Sequence, residues 1–138
     1  MLGGFVNLWA VLASTILAMI VGFLWYSPAL FGNQWMKLVG KTKAQSDKEK
    51  KRMKPAAMQT FVAWFIASYV LAYVIDLAGA VTIGEGLKTA FWLWLGFVAP
   101  TTFINTIWTG HSKKLWLIDN GHFLIVLLIA GALLSVWL

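Results

Sequence analysis

Apolar residues run almost unbroken through four stretches of this chain and thin out sharply between them. The stretches cover about 4–26, 56–78, 86–108 and 120–138. An α-helix needs about 20 mostly apolar residues to cross a bilayer, and each stretch reaches that length. None alternates with a period of two, and a backbone in hydrocarbon must satisfy its own hydrogen bonds. The pattern therefore predicts four spanning helices rather than barrel strands. No Lys or Arg precedes the first stretch, which also exceeds the about 7–15 apolar residues of a signal-peptide core, so it is expected to be a retained span.

Composition agrees with the pattern. Of 138 residues, 60% are hydrophobic and 12% charged, and mean hydropathy is +0.77. A soluble domain carries about 25% charge, and this chain could not cover its own surface in water. One integral membrane domain, 1–138, is the expectation. Cysteine is absent, which removes disulfides, thiolate metal sites and cysteine nucleophiles from consideration.

The net charge of +6 matters through its location. Lys37, Lys41, Lys43, Lys48, Lys50, Lys51, Arg52 and Lys54 lie between the first two stretches, opposed by Asp47 and Glu49. The second connection, GAVTIGE, has no basic residue, and the third has Lys113 and Lys114. Cytoplasmic loops collect Lys and Arg. Loops one and three are thus expected in the cytoplasm and both termini outside. Tryptophan, which gathers at membrane interfaces, gives the same division. Trp9, Trp92, Trp94 and Trp137 fall toward the outer ends of the stretches, and Trp25, Trp64, Trp108 and Trp116 toward the inner ends.

The first helix is expected to leave the membrane at GFLWYSPALFGNQW. Trp25 and Tyr26 suit the headgroup level, Ser27 an N-cap, and Pro28 a first helical position where its missing N–H costs nothing. Phe31, Trp35, Leu38 and Val39 then share one face, opposite Asn33, Lys37 and Lys41. This predicts a short cytoplasmic interfacial helix over about 28–40, followed by a basic linker over about 41–55 that extends it or stays mobile. The residues Lys37–Lys54 would meet anionic headgroups, each basic residue contributing about 1 kcal/mol near the surface. Lipid rather than nucleic acid is the expected partner of this charge.

Trp25-Tyr26-Ser27-Pro28, Leu30-Phe31-Gly32 and Trp35, together with a looser match at Leu117–His122 (LIDNGH), carry a resemblance over nearly the whole chain. The sequence resembles the bacterial membrane family of domain of unknown function 1761. That resemblance implies a four-span architecture and supplies no established activity.

Polar residues inside the stretches are the candidates for function, since each must find a partner in hydrocarbon. Pro100 frees the carbonyl of Gly96 and predicts a kink in the third span. Beyond it, Thr101, Thr102, Asn105, Thr106 and Thr109 form a polar face; the threonines can bond their own helix, Asn105 less easily. Asp76 shares a face with Tyr69 and Tyr73, and Asn7 is its candidate partner. Glu85 and Lys88 read as an exposed pair. Asp119 reads as an N-cap of the fourth span, and only His111, Asp119 and His122 could converge on the cytoplasmic side. Two histidines without cysteine are thin material for zinc or haem, so no metal or cofactor is expected. Small residues at Ala10, Ser14, Ala18 and Gly22, at Ala63 and Ala67, and at Gly131 and Ser135 permit close helix packing.

The fold class is therefore an all-α membrane protein, a four-helix bundle with one interfacial helix. A structural, interaction or accessory role leads, because no charged residue sits convincingly at mid-membrane. A small-solute or ion carrier, oligomeric and using the Pro100–Asn105 region, stays open. So does a membrane enzyme using His111, Asp119 and His122. Self-association is open as well.

Overall fold

The computed structural model describes residues 6–137. Residues 4 and 5 of the first expected span and Leu138 of the fourth lie outside them. All regular structure among the described residues is helical. In order come α1 (Leu8–Trp25), α2 (Gly32–Val39), α3 (Lys43–Lys48), a 3-10 turn (Glu49–Arg52), α4 (Met53–Ala78), α5 (Ile83–Leu93), a π-helical segment (Trp94–Val98), α6 (Ala99–Thr109) and α7 (Lys113–Val136). Four helical runs are long and apolar enough to cross a membrane: Leu8–Trp25, Lys43–Ala78, Ile83–Thr109 and Lys113–Val136.

The boundaries differ from the sequence reading where capping chemistry decides them. Asn7 caps α1, its side-chain oxygen accepting from the Trp9 and Ala10 N–H groups at 3.0 and 3.4 Å. Thr42 and Gln45 form a capping box that starts α3, and the chain continues through the 3-10 turn into α4. The basic linker thus extends the second span backward rather than extending α2, which ends at Gly40 in the left-handed conformation. Thr82 and Glu85 make a second capping box. The Glu85 carboxylate accepts from the N–H groups of Val81 and Thr82, so capping is its first task, with a weaker charge interaction with Lys88 beside it. Ser112 caps α7. Asp119 therefore stands inside a helix, and the fourth span begins seven residues earlier than Asn120.

Where proline predicted a kink, the third span departs from regular α-helix in a π-turn. The Ala99 N–H bonds the carbonyl of Trp94, five residues back, and Pro100 follows with no N–H to offer. The Thr101 hydroxyl bonds the carbonyls of Phe97 and Val98. The Thr102 hydroxyl reaches Val98 and Ala99 at 2.7 and 3.1 Å. Carbonyls loosened by the irregular segment are thereby re-satisfied.

Helix α7 is the hub, touching α1, α2, α4, α5 and α6. At the end of the bundle away from the basic segment, Ala10, Val11, Leu71, Ala72, Ile75, Ala90, Ala130 and Leu134 form the core. Small residues set the spacing there. A Cβ on Gly131 would meet the Gly86 carbonyl oxygen at 2.5 Å and the Ala90 methyl at 2.8 Å, so α5 and α7 touch backbone to backbone. Ala10, Ser14 and Ala18 of α1 are buried, with the Ser14 and Ser68 hydroxyls 3.1 Å apart between α1 and α4. The small face of α4 is Ser68 and Ala72 rather than Ala63 and Ala67; Ala63 is exposed.

Candidate functional site

At the opposite end, near the basic segment, aromatic side chains and hydrogen bonds replace small residues. The chain leaves α1 at Trp25 and turns back over residues 26–31. Ser27 does not cap α2. Its hydroxyl donates to the Leu24 carbonyl at 2.7 Å, closing α1 instead. Backbone bonds from Phe31 to Trp25 and from Gly32 to Ser27, both 3.0 Å, make the turn compact. A Cβ on Gly32 would stand 2.8 Å from the Ser27 carbonyl carbon, which explains glycine there and the start of α2 at that residue. Pro28 falls in the turn, four residues before the helix.

This turn docks on α7 at LIDNGH. The Trp25 indole donates to the Ile118 carbonyl at 3.0 Å, and its ring lies against Gly121, where a Cβ would approach to 3.2 Å. The Tyr26 hydroxyl donates to Asp119 Oδ1 at 2.5 Å. Burial first, and then the Asp119 acceptor, hold the Tyr26 phenol well above its ordinary pKa, so it remains a donor. Phe31 packs on Trp25 with ring centroids 4.7 Å apart, and Trp35 meets Tyr26 edge-on at 5.8 Å. Of the six residues expected to anchor the chain at the interface, Trp25 ends α1, Tyr26, Ser27, Pro28 and Phe31 fall in the turn, and Trp35 lies in α2; Trp25 and Tyr26 are hydrogen-bonded to the protein itself.

Beyond Asp119, Asn120 is buried and engages three neighbours. Its Oδ1 lies 2.7 Å from the Thr102 hydroxyl, its amide donates to the Trp116 carbonyl at 3.0 Å, and its own carbonyl accepts from the Trp94 indole at 3.1 Å. Trp116 in turn donates to Thr102 at 3.1 Å. Trp94, read from sequence as an outer-end residue, stands eleven residues into its span, roughly 16 Å from the start. Asn105, the expected polar centre, is exposed. Its side chain lines a cleft of about 160 Å³ with Thr102, Thr106, His111, Asp119 and Asn120. Thr101 is exposed beside Pro100.

His111 and Asp119 therefore border one cleft, and the His111 ring sits 3.1 Å from the Thr109 hydroxyl. His122 lines a different hollow, between α1 and α4. Among the described residues no group of three or more His, Cys, Asp and Glu side chains is placed to hold a metal. His122 is 6% exposed, and neither ring nitrogen has a hydrogen-bond partner among the described residues. Tyr26, Phe123, Trp64 and Trp25 surround it at centroid distances of 5.2, 5.4, 5.9 and 6.3 Å. Leaving a buried polar group unpaired costs about 1–3 kcal/mol. Asn7 spends its oxygen on the α1 cap, and Asp76 lies half-buried in the last turn of α4.

Sequence reasoning passed over Asn120 as a helix boundary. The buried period Leu115, Ile118, His122, Val126 lies on the other side of α7 from Asn120, which faces Thr102 of α6, so periodicity alone does not mark it. The model of a family described as "Protein of unknown function (DUF1761)" matches residues 9–135. No curated protein and no solved structure matches the chain.

Proposed function

The chain belongs to the DUF1761 family of proteins of unknown function, and from that premise we propose an interaction protein of the bacterial inner membrane. In this reading the four-helix bundle is an anchor that holds a basic arm, residues 32–54, against the anionic cytoplasmic leaflet. The observation behind it is the joint between the two motifs. Trp25 and Tyr26 at the root of α2 bond Ile118 and Asp119 of α7, so side chains as well as lipid orient the amphipathic helix.

The arm's own contacts favour the same use. Lys41 pairs with Glu49 at 2.7 Å and Lys50 with Asp47 at 3.2 Å, and Lys41 also lies over the Trp35 ring. Both acids of the segment are engaged, leaving Lys37, Lys43, Lys48, Lys51, Arg52 and Lys54 for headgroups, at about 1 kcal/mol each near an anionic surface. Both termini then face outward, and self-association is compatible with the exposed third span.

The test uses the cysteine-free background. Single cysteines at Gln45 and Thr82, probed in intact cells with an impermeant thiol reagent, should label at Thr82 and stay protected at Gln45. The opposite labelling would remove the arm from the cytoplasmic leaflet and end this reading.

One observation favours a second reading, a carrier for a small polar solute. The 160 Å³ cleft at Asn105 is lined by hydroxyl, amide, imidazole and carboxyl groups. Uptake into proteoliposomes that Asn105→Leu abolishes, without loss of fold, would support it. An enzyme has less behind it, because His122 stands apart from the His111 and Asp119 cleft.

A further inference from the structure

The cleft beside Asn105 is too small for a drug-sized molecule. Its volume of about 160 Å³ is roughly half the 300 Å³ at which such sites begin. Asn105 and Thr106 of α6, His111 of the connection and Asp119 of α7 border it. The bordering residues include no Lys or Arg, and Asp119 is their one carboxylate. That carboxylate offers about four lone-pair sites, of which the Tyr26 hydroxyl takes one.

Two features of α6 leave further oxygen acceptors free here. Thr15, Thr60, Thr89, Thr101, Thr102 and Thr109 each return the hydroxyl to a carbonyl of their own helix. Thr106 makes no such bond among the described residues, and the Asn105 amide is likewise unpaired among them. The second feature is the end of the helix. Gly40 and Gly79 donate their N–H back to the helices they close. Gly110 closes α6 without such a bond among the described residues. The last carbonyls of α6 therefore keep their partial negative charge beside Thr106 and His111.

The geometry points to a binding site for one alkali-metal cation, held by the Asp119 carboxylate, the Asn105 amide oxygen and the Thr106 hydroxyl at the negative end of α6. Carboxylate, amide and hydroxyl oxygens suit hard cations. An anion would face both the carboxylate and the helix end. A divalent ion would leave one charge unbalanced against a single carboxylate in a half-buried site. This inference rests on the cleft of the carrier reading and names its ligand, but it concerns binding, which transport does not have to follow.

Thermal unfolding of the full-length protein in detergent tests it, with sodium or potassium chloride replacing choline chloride at constant ionic strength. The unfolding midpoint should rise saturably with the alkali ion, as a ligand bound to the folded state requires. Thr106→Val keeps the shape of the side chain and removes its oxygen; it should weaken affinity about tenfold, the scale on which even the outer partners of a bound metal count. Asp119→Asn retains an acceptor for Tyr26 and should abolish the response. Thr101→Val should leave it unchanged, because that hydroxyl is spent on Phe97 and Val98. Proteoliposomes separate binding from transport. Alkali-ion binding without uptake would uphold the site and end the carrier reading. Uptake of a neutral solute by a protein whose midpoint ignores alkali ions would overturn the site and spare the carrier. A larger rise with magnesium chloride, or an undiminished rise in Thr106→Val, would also overturn the site.

Discussion

The two ends of the bundle are held by different means. Away from the arm, helices meet through Gly86, Ala90 and Gly131 and through Ala10, Ala72 and Ser68, where closeness itself supplies dispersion contacts. Beside the arm, Trp25, Tyr26, Trp94 and Trp116 reach across gaps to carbonyls and side chains of α7 and α6. Small residues give an end that cannot tolerate added volume. Long polar-tipped aromatics give an end that can lose one bond at a time. An anchor needs the first property, and a site that meets headgroups or a ligand can use the second.

The contrast is broken most severely at Gly131. Gly131→Val must part α5 from α7, and should destabilise the protein by about 3 kcal/mol, the upper part of the range for overpacking. Thermal unfolding in detergent followed by circular dichroism checks this. A loss under about 0.5 kcal/mol would mean that the backbones do not touch.

A smaller loss is expected at Asn120. Asn120→Leu removes its bonds to Thr102 and Trp116 and should cost about 1–2 kcal/mol, as polar contacts between membrane helices do. The damage should stay local: Trp116 fluorescence should shift while the helix content holds. Global unfolding would show that the polar end has no independence.

The smallest effect belongs to the hydroxyl pair between α1 and α4. Ser14→Ala should cost about 0.6 kcal/mol, and adding Ser68→Ala should cost little more, because the bond is already gone. Additive losses in that cycle would mean that the 3.1 Å contact contributes nothing as a bond.

The same division explains what the sequence alone disclosed. Span number and an irregularity in the third helix near Pro100 follow from hydropathy and proline chemistry, which act locally. The Gly131–Ser135 ridge was readable because its spacing is helical, though its partner Gly86–Ala90 was not, since spacing does not say which helices meet. The joint at Asp119 was out of reach for another reason. Tyr26 and Asp119 are 93 residues apart, and Ser27 and Asp119 both resemble N-caps, so local capping rules claimed residues that tertiary contacts use differently. His122 looked like part of a cytoplasmic cluster with His111 because both lie near one connection. The turn of α7 puts them on different hollows.

The central claim is that α2 is oriented by its joint to α7. Hydrogen exchange of the Gly32–Val39 amides, measured in bilayers for the wild type and for Tyr26→Phe, tests it directly. The substitution keeps the ring against Trp35 and His122 and removes only the bond to Asp119. The account predicts exchange across α2 about tenfold faster, as loss of about 1.4 kcal/mol requires, with α1 and α4 unchanged. Unchanged exchange in α2 would show that lipid alone holds the arm, and would contradict the account.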